Sequence, residues 1–380
     1  MIEHPLMRAA VALTLASMAC IDCHNPAENK GGGTGVMLWH VPLSDVGSGW
    51  TGLPTIAGST VYLETTNAVL ALDLTSGAKH WQTVVKTNPS PAAANIVAAG
   101  GAVYLAEAVE VISLDAASGA IRWRFTPDAQ AAAAQSAVDD HAVYVGTRSH
   151  KVYALSPATG QPLWTTDIGA DWPYLGVVMG LSVSGDTVYA GAVKRLTATG
   201  DSSVGIIAGL DRNTGALLFR YEAPQSVAAS GVSSSPVIRD RVLFASDLGG
   251  AFYAIDRFTL RELWRVRTAP GFFGPFARAS LAGTRLYIGT NDTYVYATDA
   301  ATGNVIWQTS TKASIHESAV CGQRVFANNL GIFILDISTG RILQTLFDDD
   351  PNEIPSSGFA VASDRVVFSG VHGAYALACQ

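Results

Sequence analysis

The sequence predicts an all-β fold, an eight-bladed β-propeller of four-stranded antiparallel blades whose last blade is closed by the N-terminal strand. Three observations carry this. A motif close to A-x-D-x-x-T-G-x-x-x-W recurs seven times, an eighth copy is split between the two ends of the chain, and each repeat holds four short apolar runs separated by turns. A period of roughly 40–50 residues with several strands per unit is the signature of a propeller, in which no single blade can bury both faces alone.

The copies run in order from Asp73 to Trp81, Asp115 to Trp123, Ser156 to Trp164, Asp211 to Phe219, Asp256 to Trp264, Asp299 to Trp307 and Asp336 to Gln344. The eighth starts at Ala376-Leu377 and finds its missing T-G-x-x-x-W half at Thr34-Gly35-Val36-Met37-Leu38-Trp39. Pairing these halves brings Thr34–Val41 beside Val366–Leu377 and removes the free sheet edge of an open array. Within a repeat, Asp accepts backbone N–H groups two and three residues on, and Gly takes a left-handed conformation. The Trp that follows fills the wedge between neighbouring blades. Where the pattern departs, at Ser156-Pro157, Leu260, Phe219 and Gln344, the other copies and the adjacent faces still hold the blade in place.

The repeats continue without a linker, so residues 34–380 read as one propeller domain. The 380-residue chain is 48% hydrophobic and 14% charged with a net charge of −7. That balance, without a Lys/Arg cluster, argues against nucleic acid. No run of 18 apolar residues suggests a membrane-spanning helix.

Residues 1–19 read as an export signal: Arg8 precedes the apolar run Ala9–Ala19, and small residues lead to Cys20. Cys20 after such residues resembles a lipobox and is the expected lipidation site, although Ser17 stands where that pattern has Leu. The alternative is a cleaved, soluble product. Residues 20–33 form a Gly-, Asn- and Lys-bearing linker. Cys20-Ile21-Asp22-Cys23-His24 also has the C-x-x-C-H spacing of covalent haem attachment, but too few residues separate it from the first strand to build a haem domain. Cys321 and Cys379 fall at turns on one face of adjacent blades seven and eight. A disulfide and two separate thiols both remain open there.

The repeat resembles the pyrroloquinoline-quinone (PQQ) type propeller repeat over essentially all of residues 34–380. One branch of that superfamily is enzymatic, the quinoprotein dehydrogenases; the other is represented by BamB, the propeller lipoprotein of outer-membrane protein assembly. The dehydrogenase branch implies adjacent cysteines and a catalytic Asp beside calcium ligands. The chain has no Cys-Cys pair, and Asp73, Asp115, Asp211, Asp256, Asp299 and Asp336 are each accounted for by a turn. The resemblance therefore implies a non-enzymatic scaffold without cofactor or metal, the alternatives being a PQQ-dependent quinoprotein-like dehydrogenase and a surface ligand-binding propeller. It would be a monomer outside its complex, located in the outer membrane or periplasm, with a protein partner such as a β-barrel assembly complex.

The candidate partner-binding residues are Trp172, Tyr174, Lys194, Arg195, Phe272, Phe273, Phe276 and Arg278. They sit in connections between blades or in the insertion 192–205 of blade four, on one predicted face, and combine aromatic surface with guanidinium groups. The competing expectation is that the rings fold back as plugs. His316-Glu317 as an acid/base pair and Asp348-Asp349-Asp350 with Glu353 as a metal site are weaker readings than solvated or packed residues.

Overall fold

The computed structural model describes residues 37–42, 53–85, 96–107, 109–128, 136–224, 231–232, 234–268, 279–312, 314–315, 317–328, 331–347, 358–370 and 373–380. All belong to one compact unit, Gly35–Gln380. The expectations for residues 1–33, Cys20 included, fall outside the described residues. So do those for Phe272, Phe273, Phe276, Arg278, His316, Asp348 to Asp350 and Glu353.

Eight four-stranded antiparallel sheets form the ring of an eight-bladed propeller. Blade one comprises Thr55–Ala57, Thr60–Glu64, Ala68–Asp73 and Lys79–Val84. Blades two to seven follow over 96–125, 137–167, 177–222, 237–267, 280–310 and 317–346. Blade eight takes Ala360–Val361, Arg365–Gly370 and Gly373–Ala378 from the C-terminal end. Its outer strand is Met37–Pro42, which pairs from Met37↔Leu377 to Pro42↔Gly373. Of the expected closing strand, Met37–Val41 is described and paired as expected, and Thr34 to Val36 lie outside the described residues.

The backbone defines two faces. On one, the third-to-fourth-strand turn hydrogen-bonds the first-to-second-strand turn, as in Leu74 N–H to Ser59 O, Ala116 to Gly101, Arg212 to Asp186, Arg257 to Arg241, Ala300 to Thr284 and Cys379 to Asp364. This is the turn face. On the other, the end of the outer strand meets the second-to-third-strand connection, as in Ile168 N–H to His150 O and Thr268 N–H to Gly250 O. This is the loop face, from which the chain passes to the next blade.

The motif's chemistry is visible at each turn. Asp73 Oδ1 accepts from the N–H groups of Thr75 and Ser76 at 3.0 and 2.8 Å, and Asp115, Asp211, Asp256, Asp299 and Asp336 repeat the pattern. Hydrogen bonds hold all six carboxyls below the ordinary carboxylate range, Ser76 acting on Asp73 and Arg122 on Asp115; Ser338 and Thr339 bring Asp336 down to about 2. A carboxyl depressed in the folded state stabilises the fold above its unfolded pKa and loses that contribution as pH falls through the folded value. The urea midpoint is therefore expected to be level down to about pH 4, the unfolded carboxylate value, and to fall steeply below it; a midpoint unchanged to pH 2.5 would contradict this.

The Trp of each motif docks on the turn of the next blade. Its Nε1 donates to a turn carbonyl: Trp39 to Leu74, Trp81 to Ala116, Trp123 to Pro157, Trp164 to Arg212, Trp264 to Ala300 and Trp307 to Ile337, at 2.9–3.1 Å. The motif Gly has two reasons to be Gly. At Gly119 φ is +73°, and an added Cβ would sit 2.6 Å from the Trp81 ring. Apolar clusters between neighbouring sheets complete the packing, for example Tyr62, Val69 and Ala71 of blade one with Val103, Leu105 and Leu114 of blade two.

This bracket explains the motif's departures. Leu260, at φ +57°, replaces the Gly of blade five, and the residue arriving there from blade four is Phe219 rather than Trp. Gln344 replaces the Trp of blade seven, and its target would be the third-to-fourth-strand turn of blade eight. That turn does not exist as a continuous segment, because Met37–Pro42 supplies the fourth strand from the other end of the chain. The same junction carries a covalent link instead: Cys321 and Cys379 form a disulfide, Cα–Cα 5.3 Å, joining blade seven to blade eight on the turn face.

A bulge recurs one residue before each Trp position, since Trp81 pairs Ala71 while Lys79 pairs Leu72, leaving His80 as the extra residue. The other blades repeat it. A bulged residue is re-aimed out of the ladder, and here it points outward at the rim of the turn face.

Candidate functional site

The loop face of blades three and four carries the most developed surface feature among the described residues. Beyond Asp167 the chain turns tightly. Gly169 N–H donates to Asp167 Oδ1 at 3.0 Å and Trp172 N–H to Gly169 O at 2.9 Å, before Val178 N–H rejoins Thr147 O at 3.0 Å. His150 Nδ1 lies 2.6 Å from the same Asp167 oxygen, and its ring meets Trp172 edge-on at 5.6 Å. Trp172 closes over Gly169 and Gly176, where an added Cβ would lie 2.6 and 2.2 Å from the indole. It is half-buried and packs on the core of blades three and four.

Folding Trp172 inward leaves its neighbours outside. Tyr174 is 41% and Leu175 61% exposed. A fork between Arg220 and Asp171 pins the loop from blade four, with Nη2 2.9 Å from Oδ2 and a second contact from Nη1 to Oδ1. The guanidinium brings the Asp171 carboxyl down to about 2. Such a bidentate pair fixes orientation as well as distance.

The insertion 192–205 proves to be strand rather than loop. Thr187–Arg195 and Ser203–Asp211 pair along their full length, from Thr187↔Asp211 to Arg195↔Ser203. Only the tip turns: Leu196 N–H donates to Ser202 O, and Thr197 accepts from Ser202 N–H and donates to Asp201. On this hairpin Lys194 is tied to Glu222 at 3.0 Å, while Arg195 is exposed.

Of the eight residues proposed from sequence, the four described ones thus come to one side of blade four, in different roles. Tyr174 and Arg195 are presented to solvent, Trp172 supports the loop from within, and Lys194 is held in an ion pair. Leu175 was missed; its signal is an apolar residue directly after Pro173-Tyr174, in a segment that carries no motif. Phe258, 66% exposed on the turn face, was missed as well, because it sits in a variable position of the D-x-x-T turn.

A concavity of about 470 Å3 lies among the innermost strands, lined by Thr55, Ile96, Val138, Leu181, Ser182, Glu317 and Val361 among others. Glu317 lies against Gly358, and its backbone N–H donates to Asn328 Oδ1 at 3.0 Å. Among the described residues no group of three His, Cys, Asp or Glu side chains is arranged to hold a metal ion.

Comparison with known proteins adds the lineage. The solved structure of BamB from Moraxella catarrhalis is 16% identical, with a TM-score of 0.70 over 90% of this chain and 96% of that one. The computationally designed Ika8 protein gives 14%, 0.71, 90% and 100%. Quinohemoprotein alcohol dehydrogenase from Comamonas testosteroni gives 13%, 0.74, 90% and 76%. At these identities the likeness is one of fold, shared by BamB, a design and an enzyme. No curated protein matches the sequence. The model of the family described as outer membrane protein assembly factor BamB matches in four overlapping segments, residues 28–201, 107–259, 179–330 and 250–374, and the chain belongs to that family.

Proposed function

We propose that this propeller is a non-enzymatic interaction scaffold of the bacterial cell envelope that docks a protein partner on the loop face of blade four. The observation that carries this reading is the exposed set Tyr174, Leu175 and Arg195 held on rigid supports. One side is a loop locked by Trp172 and the Asp171–Arg220 fork, the other a fully paired hairpin. Preorganised aromatic, aliphatic and Arg side chains side by side are the composition of a binding hot spot. Family membership supports a partner in outer-membrane protein assembly, with Cys20 as the lipid-bearing anchor and residues 20–33 as the tether. A binding role also fits the six motif aspartates, whose carboxylates are committed to turns.

Leu175→Asp and Arg195→Glu are expected each to weaken capture of the barrel-assembly core subunit by about 1–4 kcal/mol, with melting temperatures unchanged because both side chains are exposed. Trp172→Ala is expected to lower the melting temperature first. Full capture by both surface variants at equal folded concentration would contradict the assignment. PQQ-dependent oxidation of an alcohol by the purified chain would contradict the non-enzymatic reading.

A further inference from the structure

The turn face, opposite the proposed docking site, carries a feature that protein docking on blade four does not use. The bulged residue before each Trp position is Leu163, Leu218, Leu263, Ile306, Leu343 and Leu38 in blades three to eight, each 40–48% exposed except Leu218 at 54%. Blades one and two place His80 and Arg122 there instead. Six consecutive blades thus present an exposed aliphatic at the bulge, on the rim of a single face, and Leu217, Val305 and Ile342 add a second exposed aliphatic beside it in blades four, six and seven.

Blade five adds an apolar tip. Phe258, 66% exposed, stands at the end of its third-to-fourth-strand turn with the guanidinium carbons of Arg257 and Arg241 at 4.8 and 5.6 Å from the ring centre. Arg241 is 60% exposed and contacts Asp256, and Arg261 is exposed beside them. With Arg239, this makes four arginines against Asp240, Asp256 and Glu262 over residues 239–241 and 256–262, in a chain whose net charge is −7. An exposed aromatic flanked by arginines, above a rim of aliphatics, matches the headgroup region of a bilayer, where rings and stems enter the apolar boundary and guanidiniums meet phosphates. The arc of aliphatics ends at Leu38, and Met37 pairs Leu377 at this same face.

We infer that the turn face of blades three to eight rests on an anionic lipid surface, with Phe258 inserted at the headgroup level and Arg241, Arg257 and Arg261 against lipid phosphates. This orientation directs the loop face, with Tyr174, Leu175 and Arg195, away from the membrane. The contact is separate from any acyl chain on Cys20 and independent of the partner site.

The test is co-sedimentation of the full chain carrying Cys20→Ser, which cannot be acylated, with phosphatidylglycerol–phosphatidylethanolamine vesicles and with phosphatidylcholine vesicles. Binding to the anionic vesicles is expected, weakening as salt is raised. Phe258→Asp is expected to reduce it at least tenfold, and Arg261→Gln by about fivefold, the effect of one cation near an anionic surface. Leu175→Asp, on the opposite face, is expected to leave it unchanged. Should Phe258→Asp melt early, Arg261→Gln carries the test alone. No sedimentation of the parent, equal binding to both vesicle types, or unchanged binding by Arg261→Gln would overturn the inference. So would loss of protein capture by Phe258→Asp without any vesicle binding by the parent, which would make the tip a second protein site. Failure of partner capture by Leu175→Asp bears only on the loop face.

Discussion

Removal of residues 37–42 is expected to destabilise the propeller by several kcal/mol, whereas removal of residues 21–33 leaves its melting temperature nearly unchanged. The closing strand supplies the whole outer edge of blade eight, paired from Met37 to Pro42. It also supplies Trp39, 8% exposed, which donates to Leu74 O and packs on Gly77 of blade one. Truncating a buried Trp costs about 3–5 kcal/mol by itself. Deletion also leaves Gly373–Ala378 as an unpaired edge open to aggregation. Differential scanning calorimetry of the two truncations decides this, and equal melting temperatures would refute closure of the ring by the N-terminal strand.

The second large effect is at the junction of blades seven and eight. Every other junction joined by a Trp is bracketed from blade to turn, but here Gln344 stands in the Trp position and the receiving turn is interrupted. The Cys321–Cys379 bond takes over the role of the bracket on the same face. Replacing Cys379 by Ser is therefore expected to cost about 2–5 kcal/mol, the usual range for a native disulfide, and reductant is expected to shift the parent midpoint but not that of the variant. Identical guanidinium midpoints for the parent with and without reductant, with reduction confirmed by thiol alkylation, would show that the link is dispensable.

The fold was legible because its information is local and repeated. Each D-x-x-T-G-x-x-x-W segment specifies its own turn, and seven copies with a split eighth leave one way to close the chain. The split motif also located the closing strand, although Thr34 to Val36 lie outside the described residues. What the residues did not reveal is direction. Only the structure shows that each Trp docks on the following blade's turn, and this converts Leu260, Phe219 and Gln344 from irregularities into matched pairs or a consequence of closure. The sequence marked 192–205 only as an insertion in blade four, and the structure shows that it extends the central hairpin as strand to Arg195.

The candidate site was half legible. Composition picked out Trp172, Tyr174 and Arg195, and topology sent them to one face, but whether an aromatic in a loop points out or in depends on local room. Gly169 and Gly176 create that room for Trp172, and its inward rotation is what exposes Tyr174 and Leu175. Phe258 gave no signal because its position within the turn tolerates any residue; its significance comes from the guanidiniums beside it, Arg257 from its own turn and Arg241 from the neighbouring one.

The most direct test of the central claim, that a partner docks on the loop face of blade four, is site-specific photocrosslinking in intact envelopes with the reactive group placed at position 175 or at position 306. A crosslink is expected from position 175 to a component of the outer-membrane protein assembly machinery, and none to that component from position 306. A crosslink to that component from position 306 alone would contradict it.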